Sequence, residues 1–176
     1  DINHPYFRNH LLDGACFSQY RNCPNGQTSA FGRTAGDAVA AHGSHVSGII
    51  AGAWDDQMGT APDARLISVQ VFSRLDGQLG ALDSDILAGL DWVYGRHRES
   101  PIAAVNLSLG SSEMNAQYCD QSSPYSQIFE LLHQAGVVVV VASGNDGFTQ
   151  GVGSPACVST AVAVGAVNAF DEIAEF

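Results

Sequence analysis

Basic side chains are scarce in this chain, and acidic ones are in excess. Its 176 residues include 7 Lys and Arg against 18 Asp and Glu, which gives a formal net charge of −11. A surface this negative repels phosphate backbones and anionic lipid headgroups, so we predict neither nucleic acid nor a membrane surface as a partner. The sequence also has no apolar run long enough to cross a bilayer.

Two further absences concern the ends of the chain. The sequence begins at Asp1, without an initiating Met or a signal peptide, and residues 171–176 carry no terminal cap or tail. We therefore expect an internal part of a longer protein. Hydrophobic residues make up 45% of the chain, which is enough for a core, and the length falls within the usual span of one domain.

The motifs of two common enzyme classes are also missing. No glycine-rich phosphate loop follows a predicted strand, which argues against a doubly wound nucleotide-binding enzyme. No H-E-x-x-H sequence and no zinc-type Cys/His spacing is present.

Four cysteines are present, and the sequence leaves their state open. Cys16 and Cys23 flank a short, turn-rich segment, as a local disulfide would, and Cys119 and Cys157 complete an even number. Such a set is compatible with an oxidising compartment, but four cysteines allow three pairings. The alternative is a set of buried free thiols in a cytosolic protein.

The pattern of apolar residues predicts an α/β fold. Five consecutive valines at 137–141 indicate a strand that is buried on both faces, as in a parallel sheet covered by helices. Alternating helices and strands then predict a three-layer sandwich with a mainly parallel central sheet and right-handed crossovers. Residues 1–40 read as loop-like, with weak helical pieces at best. The remaining predictions are a buried helix over 42–52, strands over 64–72, 102–110 and 160–168, a helix capped by Ser84, and a helix that begins at Ser123-Pro124 and ends at Gly136.

His42 and His45 head the predicted helix over 42–52, and three interpretations of the pair are open. The two imidazoles could share a metal, since residues three apart lie on one helix face. They could be helix-start histidines with purely structural hydrogen bonds. Alternatively, His42 is a general base, because the dipole at a helix N-terminus disfavours imidazolium and Gly43 leaves room for a reacting group.

Six sequence blocks resemble the motifs of subtilisin-like serine peptidases, and they occur in that family's order. The block HGSHVSGIIAG resembles the one around the family's catalytic histidine, and VVVVVASGNDG resembles the one that carries its oxyanion asparagine. A set of six blocks in order is far more specific than any one of them. The other four are DINHPYF, APDARLISVQVF, AVNLSLG and SPACVSTAVAVGAV.

The resemblance implies a subtilisin-like fold, incomplete at both ends, and a role for particular residues. It implies that His42 is the general base, that His45 is structural and buried one turn along, and that the Asn145 amide donates to the oxyanion. It further implies that an extended peptide substrate binds by strand addition. The substrate-binding residues would be Ser108, Leu109 and Gly110 on one side, Leu79, Gly80 and Ala81 on the other, and Gly144 in the wall of the specificity pocket.

The sequence departs from the family pattern at two triad positions. No G-T-S block, which carries the family's nucleophilic serine, follows Asn145, and Asp1 matches the second rather than the first Asp of the family's D-S/T-G motif region. A base without a nucleophile cannot perform acyl transfer. We therefore expect that residues 1–176 are the central part of one peptidase domain and are inactive alone. A pseudo-peptidase or peptide-binding module that keeps the cleft is the alternative.

Four further expectations follow from the resemblance. Asp55 and Asp56 are candidate calcium ligands, but adjacent acids lack the spread-out donors of a calcium site, so we predict solvated turn acids, no metal and no cofactor. The partner is a polypeptide substrate, and the location is secreted or extracytoplasmic. A missing serine-bearing helix would leave an apolar groove beside the helix at 42–52, through which the chain could form oligomers.

Overall fold

The computed structural model describes residues 1–7 and 9–176. The chain divides into two compact units, Asp1–Leu90 and Asp91–Phe176, and each is described by itself. The helices are α1 (His42–Ala51), α2 (Asp83–Arg96) and α3 (Ser126–Gln134). The strands are β1 (Leu11–Phe17), β2 (Ser29–Phe31), β3 (Ala53–Trp54), β4 (Gln57–Met58), β5 (Leu66–Gln70), β6 (Phe72–Leu75), β7 (Gln78–Ala81), β8 (Ala104–Leu107), β9 (Val138–Ala142) and β10 (Ala161–Val164).

The first unit is built on a sheet in the order β2-β1-β5, with β1 parallel to β5 and antiparallel to β2. The prediction that residues 1–40 are loop-like is therefore wrong, since β1 is the central strand. Its signal is weak because Gly14, Ala15 and Cys16 are small residues buried in succession. A Cβ at Gly14 would come within 2.9 Å of the Gly36 backbone nitrogen, so the close approach of two chain segments requires glycine there.

The second unit contains the parallel sheet β10-β9-β8. Helix α3 packs against β9, and the valine strand buries Val139 and Val141 while Val138 stays 46% exposed. The sheet confirms the α/β prediction. The prediction that the valine run is buried on both faces is wrong. Helix α3 covers only one face of β9, and Val138 is exposed on the other face, together with Val162 and Val164 of β10.

The three predicted helices are present; α1 begins at His42 as predicted, whereas α2 and α3 begin at other residues than predicted. Helix α2 starts one residue before the predicted cap, and its Ile86, Leu90 and Val93 side chains, which recur at helical spacing, are buried. Helix α3 starts at Ser126 rather than Ser123, since the Ser123 hydroxyl accepts a hydrogen bond from the Tyr125 N–H in a turn that precedes the helix. After α3, the backbone reverses at Gly136, whose φ of 78° favours glycine.

The four cysteines form two disulfides, Cys16–Cys23 and Cys119–Cys157. The structure thus decides between the alternatives that the sequence left open, in favour of local pairing in the first case. Each bond lies within one of the two units, and all four cysteines are buried.

Candidate active site

His42 is the first residue of α1, and its side chain is exposed. Ala41, which precedes it, makes no side-chain cap hydrogen bond, and a Cβ at Gly43 would meet nothing within 4 Å. The structure therefore places His42 at a helix N-terminus with open space at Gly43, and its role as a general base stays a prediction. His45 is exposed as well, so the prediction that it is buried one turn along is wrong.

A groove of about 1140 Å³ runs along α1 in the first unit. The prediction that the helix over 42–52 is buried is wrong, because Ala51 is its one buried residue and Ile49 is 69% exposed. The predicted apolar groove beside this helix is present. Its lining includes Ser44, His45, Gly48, Ile49, Trp54 and Met58.

The predicted substrate-binding residues Leu79, Gly80 and Ala81 lie on β7, which pairs with β6 in an antiparallel hairpin. The turn at Asp76-Gly77 has positive φ at both residues, 49° and 82°, as a tight hairpin turn requires. Within the part of the chain that the structure describes, this sheet has two strands, so β7 pairs with no strand at its outer edge.

In the second unit, two predicted groups of site residues leave neighbouring parallel strands at the same edge. Residues 108–110 follow β8 and residues 143–146 follow β9, and Leu107 pairs with Val141 in the register of these strands. The segment Gly153-Ser154 connects the two exits, because the Gly153 N–H donates to the Ser143 carbonyl at 2.8 Å and the Ser111 N–H donates to the Ser154 carbonyl at 2.8 Å. The structure thus brings Ser108, Leu109 and Gly110 to the same sheet edge as Gly144 and Asn145.

The bridging segment is a site feature that the sequence analysis missed. Ser154 precedes a cis proline, Pro155, and a Cβ at Gly153 would lie 2.4 Å from the Ser111 carbonyl oxygen. The Gly-Ser-Pro sequence is the one signal that could have indicated a constrained turn here.

Gly144 and Asn145 occupy the loop after β9. Gly144 has a φ of 123°, a conformation that favours glycine, and Asn145 is exposed. A neutral amide at this edge can donate to a developing oxyanion without titrating. His42 and the β7 residues lie in the first unit, and whether His42 and Asn145 act together stays a prediction.

The acidic residues near these elements form no metal site among the described residues. Asp55 and Asp56 form the exposed turn between β3 and β4, as solvated turn acids do. Among residues 1–7 and 9–176 no group of three or more His, Cys, Asp and Glu side chains gathers as metal ligands would. The Asp85 carboxyl is buried, and burial raises its pKa, although the hydrogen bond from the Gln19 N–H acts in the opposite direction.

The fold is of the α/β class, and residues 108–110 and 143–146 lie at one edge of its parallel sheet β10-β9-β8. The chain belongs to the subtilase family, peptidase family S8, whose family model matches residues 1–176.

Curated relatives support the assignment over most of this chain. It is 34% identical over 155 residues to alkaline protease 1 of Aspergillus clavatus, covering 85% of this chain and 34% of the relative. It is 34% identical over 138 residues to subtilisin-like protease 3 of Pseudogymnoascus destructans, covering 77% and 31%. It is 37% identical over 135 residues to an extracellular serine proteinase of Thermus sp., covering 77% and 29%. The chain therefore spans about a third of the length of these relatives.

Solved structures show the same fold. The S41 psychrophilic protease superimposes with a TM-score of 0.73 at 24% identity, covering 94% of this chain and 50% of that one. A cold-adapted subtilisin-like serine proteinase gives 0.69 at 23% identity, covering 99% and 54%. The subtilisin-like fold class predicted from the sequence is confirmed. In addition, none of the helices formed by residues 1–7 and 9–176 is long and apolar enough to cross a membrane.

Proposed function

We propose that residues 1–176 are the central part of the catalytic domain of a subtilisin-like serine endopeptidase that hydrolyses peptide bonds. The observation that carries the proposal is the common sheet edge of residues 108–110 and 143–146, tied together by Gly153-Ser154. This edge supplies backbone groups for an extended peptide and an amide donor beside them.

In the proposed reaction, His42 accepts the proton of a serine hydroxyl as that oxygen attacks the scissile carbonyl. His42 then donates this proton to the leaving amine. The Asn145 side-chain N–H donates to the carbonyl oxygen as negative charge develops on it. Ser108, Leu109 and Gly110 pair with the peptide backbone opposite Leu79, Gly80 and Ala81, and Gly144 leaves space for the residue before the scissile bond.

The triad serine and aspartate are proposed to come from other segments of the protein. The 176 residues contain no G-T-S block, and the chain spans only about a third of the relatives' length. On this proposal, the 176 residues alone do not hydrolyse peptides. We further infer a location outside the cytoplasm, supported by the two disulfides. Assembly through the groove beside α1 stays a prediction.

The test uses the complete protein that contains this chain. We expect it to hydrolyse a denatured polypeptide and to react covalently with a serine-directed phosphonate, and we expect His42→Ala to abolish both. His45→Ala is the matched control, since this histidine lies one turn along the same helix and is expected to leave turnover unchanged. Peptide binding without turnover in the unsubstituted protein would instead identify a binding module and overturn the proposal.

A further inference from the structure

The loop that follows β1 reaches the hairpin on which β7 lies. Residues 18–22, here called the clamp loop, are closed at their base by the Cys16–Cys23 disulfide, and both cysteines are buried. A seven-residue separation between the bonded cysteines keeps the loop short. The loop makes three hydrogen-bonded contacts to the elements before and after β7.

The first contact fixes the start of β6. The Ser18 and Ser73 hydroxyl oxygens are 2.7 Å apart, and both residues are buried. A buried hydroxyl pair of this kind is costly to break, because each group left alone loses its partner without regaining water.

The second contact occupies the edge of β6 that β7 does not use. The Asn22 side-chain oxygen accepts a hydrogen bond from the Arg74 backbone N–H at 2.6 Å. The Asn22 backbone N–H in turn donates to the Ser18 hydroxyl at 3.0 Å. Because a β-strand alternates its backbone groups between two edges, this contact leaves β6 free to pair with β7 on the other.

The third contact lies where β7 runs into α2. Asp85 is 1% exposed, and its two carboxylate oxygens accept the Gln19 backbone N–H at 3.1 and 3.2 Å. The Asp85 and Ile86 N–H groups donate to the Leu82 carbonyl, one residue after β7. The clamp loop is thus bonded on both sides of β7, to β6 before it and to the start of α2 after it.

We propose that the clamp loop is a positioning device for substrate, which holds the outer edge of β7 in the extended geometry that strand addition requires. This inference rests on the proposed function, because it assigns Leu79, Gly80 and Ala81 to a peptide-binding edge. Asp85 and Asn22 are positioning residues that do not touch the peptide. A two-stranded hairpin is marginally stable by itself, so an edge held in advance spares the substrate the entropy of ordering it.

The proposal predicts a particular kinetic signature. Loosening the edge weakens the binding of peptides long enough to pair with β7 and leaves the chemistry of the bound scissile bond unchanged. The KM for an extended peptide substrate therefore rises by about tenfold while kcat stays within about twofold. A minimal single-residue ester, which does not reach β7, keeps both constants.

The experiment compares variants of the complete enzyme with both substrates. Asp85→Ala removes the acceptor for Gln19, and Asp85→Asn restores one through its amide oxygen, so the second variant should recover most of the lost affinity. Asn22→Ala removes the acceptor for Arg74. The paired change of Cys16 and Cys23 to Ser opens the base of the loop. The matched controls are the paired change of Cys119 and Cys157 to Ser in the other unit, and Asp91→Asn at an exposed position of α2.

A readout independent of activity accompanies the kinetics. Hydrogen exchange of the backbone amides at 78–81 should accelerate in the clamp-loop variants and stay unchanged in the controls, even in a variant too unstable for kinetics. The proposal that the clamp loop positions β7 would be overturned if Asp85→Ala and the unsubstituted enzyme had the same KM for the extended peptide and the same hydrogen exchange at 78–81. An unsubstituted protein that neither hydrolyses peptides nor reacts with the phosphonate would overturn the proposed function instead, and the exchange data would still decide whether the clamp loop holds the hairpin.

Discussion

The two units hold their candidate site residues in different ways. In the unit over residues 1–90, the clamp loop is bonded to β6 and to α2, the elements before and after β7, through two side-chain acceptors, the Asn22 amide oxygen and the Asp85 carboxylate. In the unit over residues 91–176, the exits of β8 and β9 are held by backbone–backbone hydrogen bonds through Gly153-Ser154. We therefore expect substitutions to disturb the site residues of the first unit by deleting hydrogen-bond acceptors, and those of the second unit by steric clash.

The largest expected effect separates the two histidines of the first unit. We expect His42→Ala to lower kcat of the complete enzyme by on the order of 10⁴–10⁶-fold, because the general base is lost, with little change in KM. Steady-state kinetics on a peptide substrate measure it, beside His45→Ala. Equal turnover in the two variants would show that the exposed end of α1 has no chemical role.

The next effect concerns the second unit. We expect Asn145→Ala to reduce kcat by about 10²–10³-fold, since one oxyanion donor is removed, and to leave KM nearly unchanged. Pre-steady-state acylation rates would locate the loss in the chemical step. A rise in KM alone would mean that Asn145 binds substrate and does not stabilise the transition state.

A third prediction tests the backbone-held edge by steric means. Gly153→Ala should lower the free energy of unfolding by about 1–3 kcal/mol, because its Cβ would lie 2.4 Å from the Ser111 carbonyl oxygen. Gly95→Ala is the control, as a Cβ there meets nothing within 4 Å and alanine favours the helix. Chemical denaturation measures both. An unaffected Gly153→Ala protein would show that the bridge between the strand exits yields easily.

The smallest expected effect is the pH dependence of folding stability that Asp85 gives to the first unit. Burial raises the pKa of Asp85 above its ordinary value of 3.8, so the folded protein binds this proton more tightly than the unfolded chain does. The contribution to stability is therefore complete below the ordinary value and is lost as pH rises through the raised pKa. The stability of the unsubstituted protein relative to Asp85→Asn should fall over this window. A difference that stays constant from about pH 3 to pH 7 would contradict the assignment.

The elements that could be predicted from the sequence are those with a local signal. Helix α2 shows its apolar positions at helical spacing, and β9 shows a run of valines, so the start of α2 and both ends of β9 are predicted to within one residue. Strand β1 was missed because small buried residues such as Gly14 and Ala15 carry little strand preference. Hairpin β6–β7 has Asp76-Gly77 as its local sequence signal, and that pair predicts a loop without specifying the strands on either side.

The residues of the candidate site likewise differ in whether a local sequence pattern predicts them. The exits at Ser108 and Asn145 could be predicted, since parallel neighbours end at one edge of a sheet. The bridge through Gly153 and the bond between Gln19 and Asp85 join residues far apart in sequence, and no local pattern records such a pairing. The exposure of α1 also depends on what covers the helix, which its own residues do not specify.

The central claim is that His42 and Asn145 serve one peptide bond. The most direct measurement is a structure of the complete protein after reaction with a peptidyl phosphonate. We predict that the Asn145 Nδ2 donates to the phosphonyl oxygen and that the His42 ring lies within hydrogen-bond distance of the modified serine oxygen. A phosphonate bound elsewhere, or two side chains on opposite sides of the sheet, would contradict the account.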